Sequence, residues 1–374
     1  MTIRIAVLKE LATYENRVAA TPETIKKYIA KGYAVSVVAG AGSTAAYLDA
    51  DYVAVGAEIV ADSNKATKDA DIILCVQSPV SFKAKAGALL IGMLAPYGAK
   101  EKLAGLAEQG VTAMSMELVP RITRAQAMDV LSSQSNLAGY KAVLEAAAHF
   151  SRAFPMMMTA AGTIPPARVF VMGAGVAGLQ AIATARRLGA IVSATDVRPV
   201  AKEQVQSLGA SFVMVESDEM KQAETSGGYA KEMSDDFKQK QAKLVAETLV
   251  KQDIVITTAL IPGRPAPVLV TEDMVKSMRA GSVIVDMAVE QGGNCALSKV
   301  GEIIEVGGVK IIGLLNLPSR IATDASALYA RNILNLLGTL IDKDGKITLN
   351  MDDDIVKAMT LTKDGSVIHP NFQL

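Results

Sequence analysis

Short runs of β-branched and aliphatic residues alternate along the chain with longer segments of helical spacing. In the first third the apolar runs are Ile3–Val7, Ala34–Val38, Ala57–Val60, Asp71–Val76, Ala88–Leu94 and Val111–Ser115. Pro22–Lys31 and Ala99–Gln109 lie between them and repeat apolar residues with a helical period. Several runs are continuously apolar, as a parallel strand covered by helices on both faces reads. The alternation predicts a doubly wound α/β unit. It breaks at Ser132–Phe154, where Leu137, Tyr140, Val143, Leu144, Ala147 and Ala148 keep helical spacing. One long helix linking two domains is predicted there. A Met-rich stretch and Pro165-Pro166 follow. A second series then runs Arg168–Met172, Ile191–Thr195, Ser211–Val215, Asp253–Thr258, Ser282–Asp286 and Lys310–Leu314. Six strands with helices between them make a full dinucleotide-fold set. Asp324–Ile341 predicts another long helix, and the remaining tail reads as short and polar.

The simplest arrangement inserts the second unit into the first. Residues 1–131 plus 322–374 would form a discontinuous Rossmann-like domain, and 132–321 a dinucleotide-binding one. Both are α/β with doubly wound parallel sheets.

Half of the 374 residues are hydrophobic, enough for two cores. Lys plus Arg and Asp plus Glu both total 38, so the formal charge is zero. That excludes charge-driven nucleic-acid binding and a disordered polyelectrolyte. The two cysteines, Cys75 and Cys295, are too few for a disulfide scaffold and fit a reducing, cytoplasmic setting. The N-terminus shows no signal-peptide pattern. The longest apolar stretch, near Ala153–Ala167, is broken by Pro155, Pro165 and Pro166, so no membrane span is expected. Membrane association would come only through partners. His149, expected mid-helix, and His369, in the tail, belong to no ligand cluster, and no metal site is expected. Met156-Met157-Met158 is expected to fill core or interface.

Gly173-Ala174-Gly175-Val176-Ala177-Gly178 carries the strongest chemistry. It follows the run Arg168–Met172 and opens a helix near Val176, the context that gives such a pattern meaning. Gly173 permits the tight turn, Gly175 lets backbone approach a pyrophosphate, and Gly178 allows close helix packing. The phosphates would meet free N–H groups at the helix N-terminus. Asp196 ends the next strand, where a carboxylate can accept bonds from the ribose hydroxyls and repel a 2′-phosphate. NAD(H) is therefore favoured over NADP(H). Arg198, two residues on, tempers that preference. Two further strand ends, Thr257–Leu260 and Asp286–Glu290, would face the same crevice, with Leu260 covering adenosine or ribose. The polar loop Pro120–Asp129 leads into the linker helix and is a second candidate site. Arg121 and Gln126 would bond a nicotinamide amide or a phosphate, with Asp129 and Ser132 fixing the loop. The charged segment Glu216–Lys240 holds Gly227-Gly228-Tyr229 and reads as a solvated loop or a lid closing through Tyr229.

The passages Glu117–Tyr140 and Arg152–Pro166, the glycine turn and Thr225–Lys231 resemble the NAD(H)-binding domain I of bacterial proton-translocating NAD(P)+ transhydrogenases. The resemblance spans nearly the whole chain. It implies cofactor contacts at Arg121, Ile122, Thr123, Gln126, Val176, Asp196, Val197, Arg198, Gly228, Gln241 and Leu260, beside Gly173, Gly175, Gly178 and Tyr229. It places Arg121, Gln126, Asp129 and Ser132 at the reacting, nicotinamide end, and Tyr229 on a mobile loop. It also implies a homodimer that works with an NADP(H)-binding domain and a membrane domain on other chains, at the cytoplasmic face of the inner membrane. Alanine dehydrogenase shares this fold. Its active-site Arg corresponds to Arg17, but its Lys, His and Asp positions hold Gln77, Met93 and Glu290. Reductive amination needs groups that move protons and stabilise a carbonyl oxygen, which Gln and Met do not supply. Hydride exchange between two nicotinamides needs neither acid nor base.

Overall fold

The computed structural model describes residues 2–79, 82–215, 234–261 and 263–373. They form two units, residues 1–134 with 318–374 and residues 135–317.

In the first unit, β1 (Arg4–Val7), β2 (Ala34–Val38), β3 (Glu58–Val60), β4 (Ile72–Gln77), β5 (Leu89–Met93) and β6 (Thr112–Ser115) run parallel. Their order is β3-β2-β1-β4-β5-β6. β1 pairs with both β2 and β4, so Ile5 lies opposite Val35 on one side and Ile72 on the other. All three side chains are buried, which accounts for the continuously apolar runs.

The linker helix spans Val130–His149, starting two residues earlier and stopping five earlier than the spacing predicted. His149 is therefore its last residue, not a mid-helix one. Its carbonyl oxygen accepts a bond from Lys310 Nζ at 3.1 Å. Beyond it, Phe150 and Phe154 meet edge to face. Then β7 (Met157–Thr159) and β8 (Gly162–Ile164) make an isolated antiparallel hairpin. Met156, Met157 and Met158 are exposed there and fill no core of this chain.

The second unit carries β9 (Arg168–Met172), β10 (Ile191–Thr195), β11 (Ser211–Phe212), β12 (Ile254–Thr257), β13 (Val283–Asp286), β14 (Ile303–Val306) and β15 (Val309–Ile312). The order is β11-β10-β9-β12-β13-β15-β14. Two findings depart from the sequence reading. The third strand stops at Phe212 instead of Val215. A seventh strand, β14, also joins the sheet, antiparallel to β15. Gly307 and Gly308 between them have φ of +59° and +81°, the left-handed conformation that a two-residue hairpin requires.

The tail is not merely short and polar. Helix Asp354–Met359 buries Ile355, Val356 and Met359. It leads into β16 (Thr360–Lys363), which adds antiparallel to β6, and β17 (Ser366–Val367). The first sheet thus has eight strands and is mixed. Thr362 sits at an irregularity in this pairing, where its hydroxyl accepts from Ala113 N–H at 3.0 Å and donates to the Val111 carbonyl at 2.8 Å. Among the described residues, no helix is long and apolar enough to cross a membrane.

Candidate functional site

In the second sheet the strand order reverses between β9 and β12, the place where open α/β sheets take ligands. The glycine turn follows β9. Gly173 has φ +105°, and its N–H donates to the Thr195 carbonyl at 2.8 Å. A Cβ there would lie 2.5 Å from Thr258 Oγ1, the group that donates to the Gly173 carbonyl. A Cβ on Gly178 would overlap the Gly173 carbonyl oxygen, so the first turn of helix Val176–Arg187 rests on the loop itself. Gly175 differs: a Cβ there would meet no protein atom within 4 Å. The loop backbone is open at that point, next to a helix end whose first N–H groups have no helical partner.

Asp196 stands beside this turn. Its Oδ2 accepts from Ala174 N–H at 2.7 Å and from Arg198 Nη2 at 3.1 Å. Its Oδ1 accepts from Arg198 N–H at 2.8 Å and Nε at 3.0 Å. The carboxylate is thus saturated by protein donors, and hydrogen bonding to it raises the Arg198 guanidinium. A ribose diol would have to displace the guanidinium, an exchange the sequence did not announce. Gln241 is spent on bracing: its Nε2 donates to Thr195 Oγ1 at 3.1 Å and its Oε1 accepts from Val215 N–H at 2.9 Å. Val176, Val197 and Leu260 are exposed apolar side chains close after the carboxyl ends of β9, β10 and β12. Gly228 and Tyr229, with the lid reading, lie outside the described residues.

In the first unit, Thr123–Met128 is a 3₁₀ segment. Ala125 and Met128 are buried, while Arg121, Thr123 and Gln126 point to solvent and Ile122 is half-buried. The segment is tied down by partners far along the chain. Arg124 makes a two-pronged pair with Asp353, both contacts at 2.8 Å, and the Ala127 carbonyl accepts from Asn332 and Asn335. That pairing holds the Asp353 carboxyl at about 2. Asp129 caps the linker helix, accepting from Ser132 N–H at 2.9 Å and Ser132 Oγ at 2.5 Å. Asp129 and Ser132 therefore satisfy each other. Arg121 and Gln126 carry no hydrogen bond or ion pair among the described residues.

The same unit holds a buried polar cluster at the carboxyl ends of β1 and β4, of which the sequence reading had only Arg17 and Gln77. The Arg17 guanidinium is fully engaged, by Glu15 at 2.6 and 2.8 Å and by Gln134 at 2.7 Å. Gln77 Nε2 donates to Glu15 at 3.0 Å. Glu10 accepts from the Val76 and Gln77 N–H groups at 2.7 and 3.1 Å. Burial pushes the Glu15 carboxyl up, but the bonds and charge of Arg17 outweigh it and hold it at about 2. Burial dominates at Glu10 and raises it to about 7. A raised carboxyl stabilises the fold fully below its ordinary value of about 4.5, and that contribution is lost as the pH climbs through 7. Glu15 contributes above its ordinary value and loses this as the pH falls through 2. Glu10→Gln carries no charge at any pH, so it should gain thermal stability relative to the parent between about pH 5 and pH 8. A melting-temperature difference that is flat over that range would show that Glu10 does not titrate there. Among the described residues, no group of His, Cys, Asp and Glu is arranged to hold a metal ion.

Two mixed sheets with flanking helices, one bearing a glycine turn and an acidic residue at the next strand end, define a nucleotide-binding Rossmann-like protein. Residues 6–138 match the family described as "Alanine dehydrogenase/PNT, N-terminal domain", and residues 142–370 match its C-terminal domain. The chain belongs to the alanine dehydrogenase/PNT family. It is 52% identical to the first of the chains that make up the NAD(P) transhydrogenase alpha subunit of Rhodospirillum rubrum, over 98% of both chains. A solved structure of transhydrogenase from Sinorhizobium meliloti is also 52% identical, with a TM-score of 0.89 over 98% of this chain and 100% of that one. An alanine dehydrogenase of Halomonas elongata is 30% identical over 98% of this chain and 95% of its own.

Proposed function

We propose that the chain is the NAD(H)-binding component of a proton-translocating NAD(P)+ transhydrogenase. The observation that carries this reading is the open space at Gly175, beside a helix N-terminus and the Asp196 carboxylate. The residues present fit a dinucleotide. Gly173, Gly175, Val176 and Gly178 would hold the pyrophosphate. Asp196, Val197 and Arg198 would hold the adenosine ribose, and Asp196 would disfavour a 2′-phosphate. Leu260, Gln241, Gly228 and Tyr229 would complete the enclosure. Arg121, Ile122, Thr123 and Gln126 would contact the nicotinamide end, on a loop fixed by Asp129 and Ser132. When bound, the reduced nicotinamide supplies a hydride, and the chemistry is the cofactor's own. The chain's residues bind and orient. None has to move a proton.

The alanine dehydrogenase reading is the rival. It fails on Gln77 and Met93, which are neither acids nor bases. The partners proposed are a second copy of this chain, an NADP(H)-binding domain, and a membrane domain on other chains. These would hold the chain at the cytoplasmic face of the inner membrane and couple hydride transfer to proton movement. The test mixes the purified chain with an NADP(H)-binding domain of the family and follows hydride exchange between NADH and an NADP+ analogue. Exchange that needs both components is expected. Deamination of alanine by the chain alone, with no exchange in the mixture, would reverse the assignment.

A further inference from the structure

The stretch after β12, from Ala259 to Val270, carries Leu260 and is held by one side chain that the proposed function leaves unused. Asn294 is completely buried. Its Nδ2 donates to the Ala259 carbonyl at 2.9 Å and to the Pro267 carbonyl at 2.8 Å, while its Oδ1 accepts from Ala259 N–H at 3.0 Å. Its own carbonyl accepts from the N–H groups of Leu269 and Val270. The carboxamide thus closes on both polar groups of one residue, and the backbone fixes the far end of the same loop. Asn294 is held in turn by Asp286, a buried carboxylate at the end of β13. Asp286 accepts from the N–H groups of Ala288, Asn294 and Cys295 and from the hydroxyls of Thr257 and Ser298. On the other side of Ala259, Thr258 is bonded to the Gly173 carbonyl at 3.0 Å.

Leu260 therefore follows two consecutive residues whose backbone or side chain is fastened, one to the glycine turn and one to Asn294. Its own side chain is left exposed. Clamping both polar groups of Ala259 and both ends of the loop is far more restraint than burying an exposed leucine's neighbour needs. An apolar side chain held rigidly in water gains nothing until something covers it.

We propose that Asn294 is a positioning residue for nucleotide binding. It fixes the backbone at Ala259 so that Leu260 is pre-placed beside the glycine turn, and Asp286 sets its orientation. This rests on the reading that the turn binds NAD(H).

The test is a double-mutant cycle on NADH affinity, with melting temperature recorded for every variant. Asn294→Asp keeps the shape but removes both donations, since a carboxylate has no proton to give the two carbonyls. Asn294→Ser serves if the Asp variant does not fold. Expected is a loss of about tenfold in NADH affinity in the parent, shrinking to less than about twofold in a Leu260→Ala background, as coupled residues require. The fall in melting temperature should be the same in both backgrounds, so a merely structural role would not reproduce the pattern. An undiminished loss in the Leu260→Ala background, in a parent that binds NADH, would overturn this inference and leave the proposed function standing. A parent that does not bind NADH would overturn both.

Discussion

Gly175→Ala should leave the fold intact and cost the chain its nucleotide. Gly175 has φ −75° and ψ −168°, an extended conformation open to any residue. An added Cβ there meets no protein atom within 4 Å. A Gly→Ala change at a compatible backbone position stabilises by about 0.4–1 kcal/mol, by removing freedom from the unfolded chain. The melting temperature should therefore hold or rise slightly. The space that the methyl group takes is the space that a pyrophosphate against the loop would need. NADH affinity should fall on the order of 100-fold, about 2.7 kcal/mol. Gly178→Ala is the control with the opposite signature. Its Cβ overlaps the Gly173 carbonyl oxygen, so the turn must distort, and both stability and affinity should drop. Calorimetry and a fluorescence titration on the two variants suffice. Parent-like affinity in Gly175→Ala would place the nucleotide away from this turn.

The second large effect is expected at Gln126. Its side chain points to solvent from a segment anchored by Arg124, Asn332 and Asn335, so the scaffold is rigid where the amide is free. An amide is neither acid nor base at neutral pH, and its contribution must be geometric. Misplacement of a reacting group by about 1 Å costs on the order of 100-fold in rate. Gln126→Asn keeps the amide and withdraws it by one methylene. Hydride transfer in the mixture with the NADP(H)-binding domain should fall by about that factor, while NADH affinity stays within a few-fold, since the adenosine and pyrophosphate supply most of the binding. Equal losses in affinity and rate would make Gln126 an ordinary binding residue.

What the sequence made legible was local. β2, β9 and β10 coincide with the apolar runs read from the chain, because a doubly covered parallel strand is apolar throughout and is bounded by turns. The glycine turn was legible because its meaning lies within six residues. β14 was missed because its side chains alternate between half-buried and exposed, and Gly307-Gly308 was not read as a hairpin turn. The tail was misread because its buried residues are spread over a six-residue helix and a four-residue strand, too short for a period to show. The hairpin Met157–Ile164 was hidden by a composition that suggested core. The polar cluster was invisible for another reason. Glu10 bonds Val76 and Gln77, Arg17 bonds Gln134, and Asn294 bonds Ala259, so each partner is tens of residues away and no spacing rule relates them. Asp129 and Ser132 were found, but as members of a site. Their mutual bonds show that they hold the start of a helix.

The antiparallel strand that the tail adds to β6 sets an order of events during synthesis. Every residue of the second unit precedes Pro318, so that unit can close while the chain is still growing. The first unit begins at the N-terminus, yet its sheet lacks β16 until Lys363 has been made. Domains usually mature in the order in which they emerge from the ribosome. Here the part that emerges first is the last that can be finished, and until then the β6 backbone stands as an open edge able to pair with another chain.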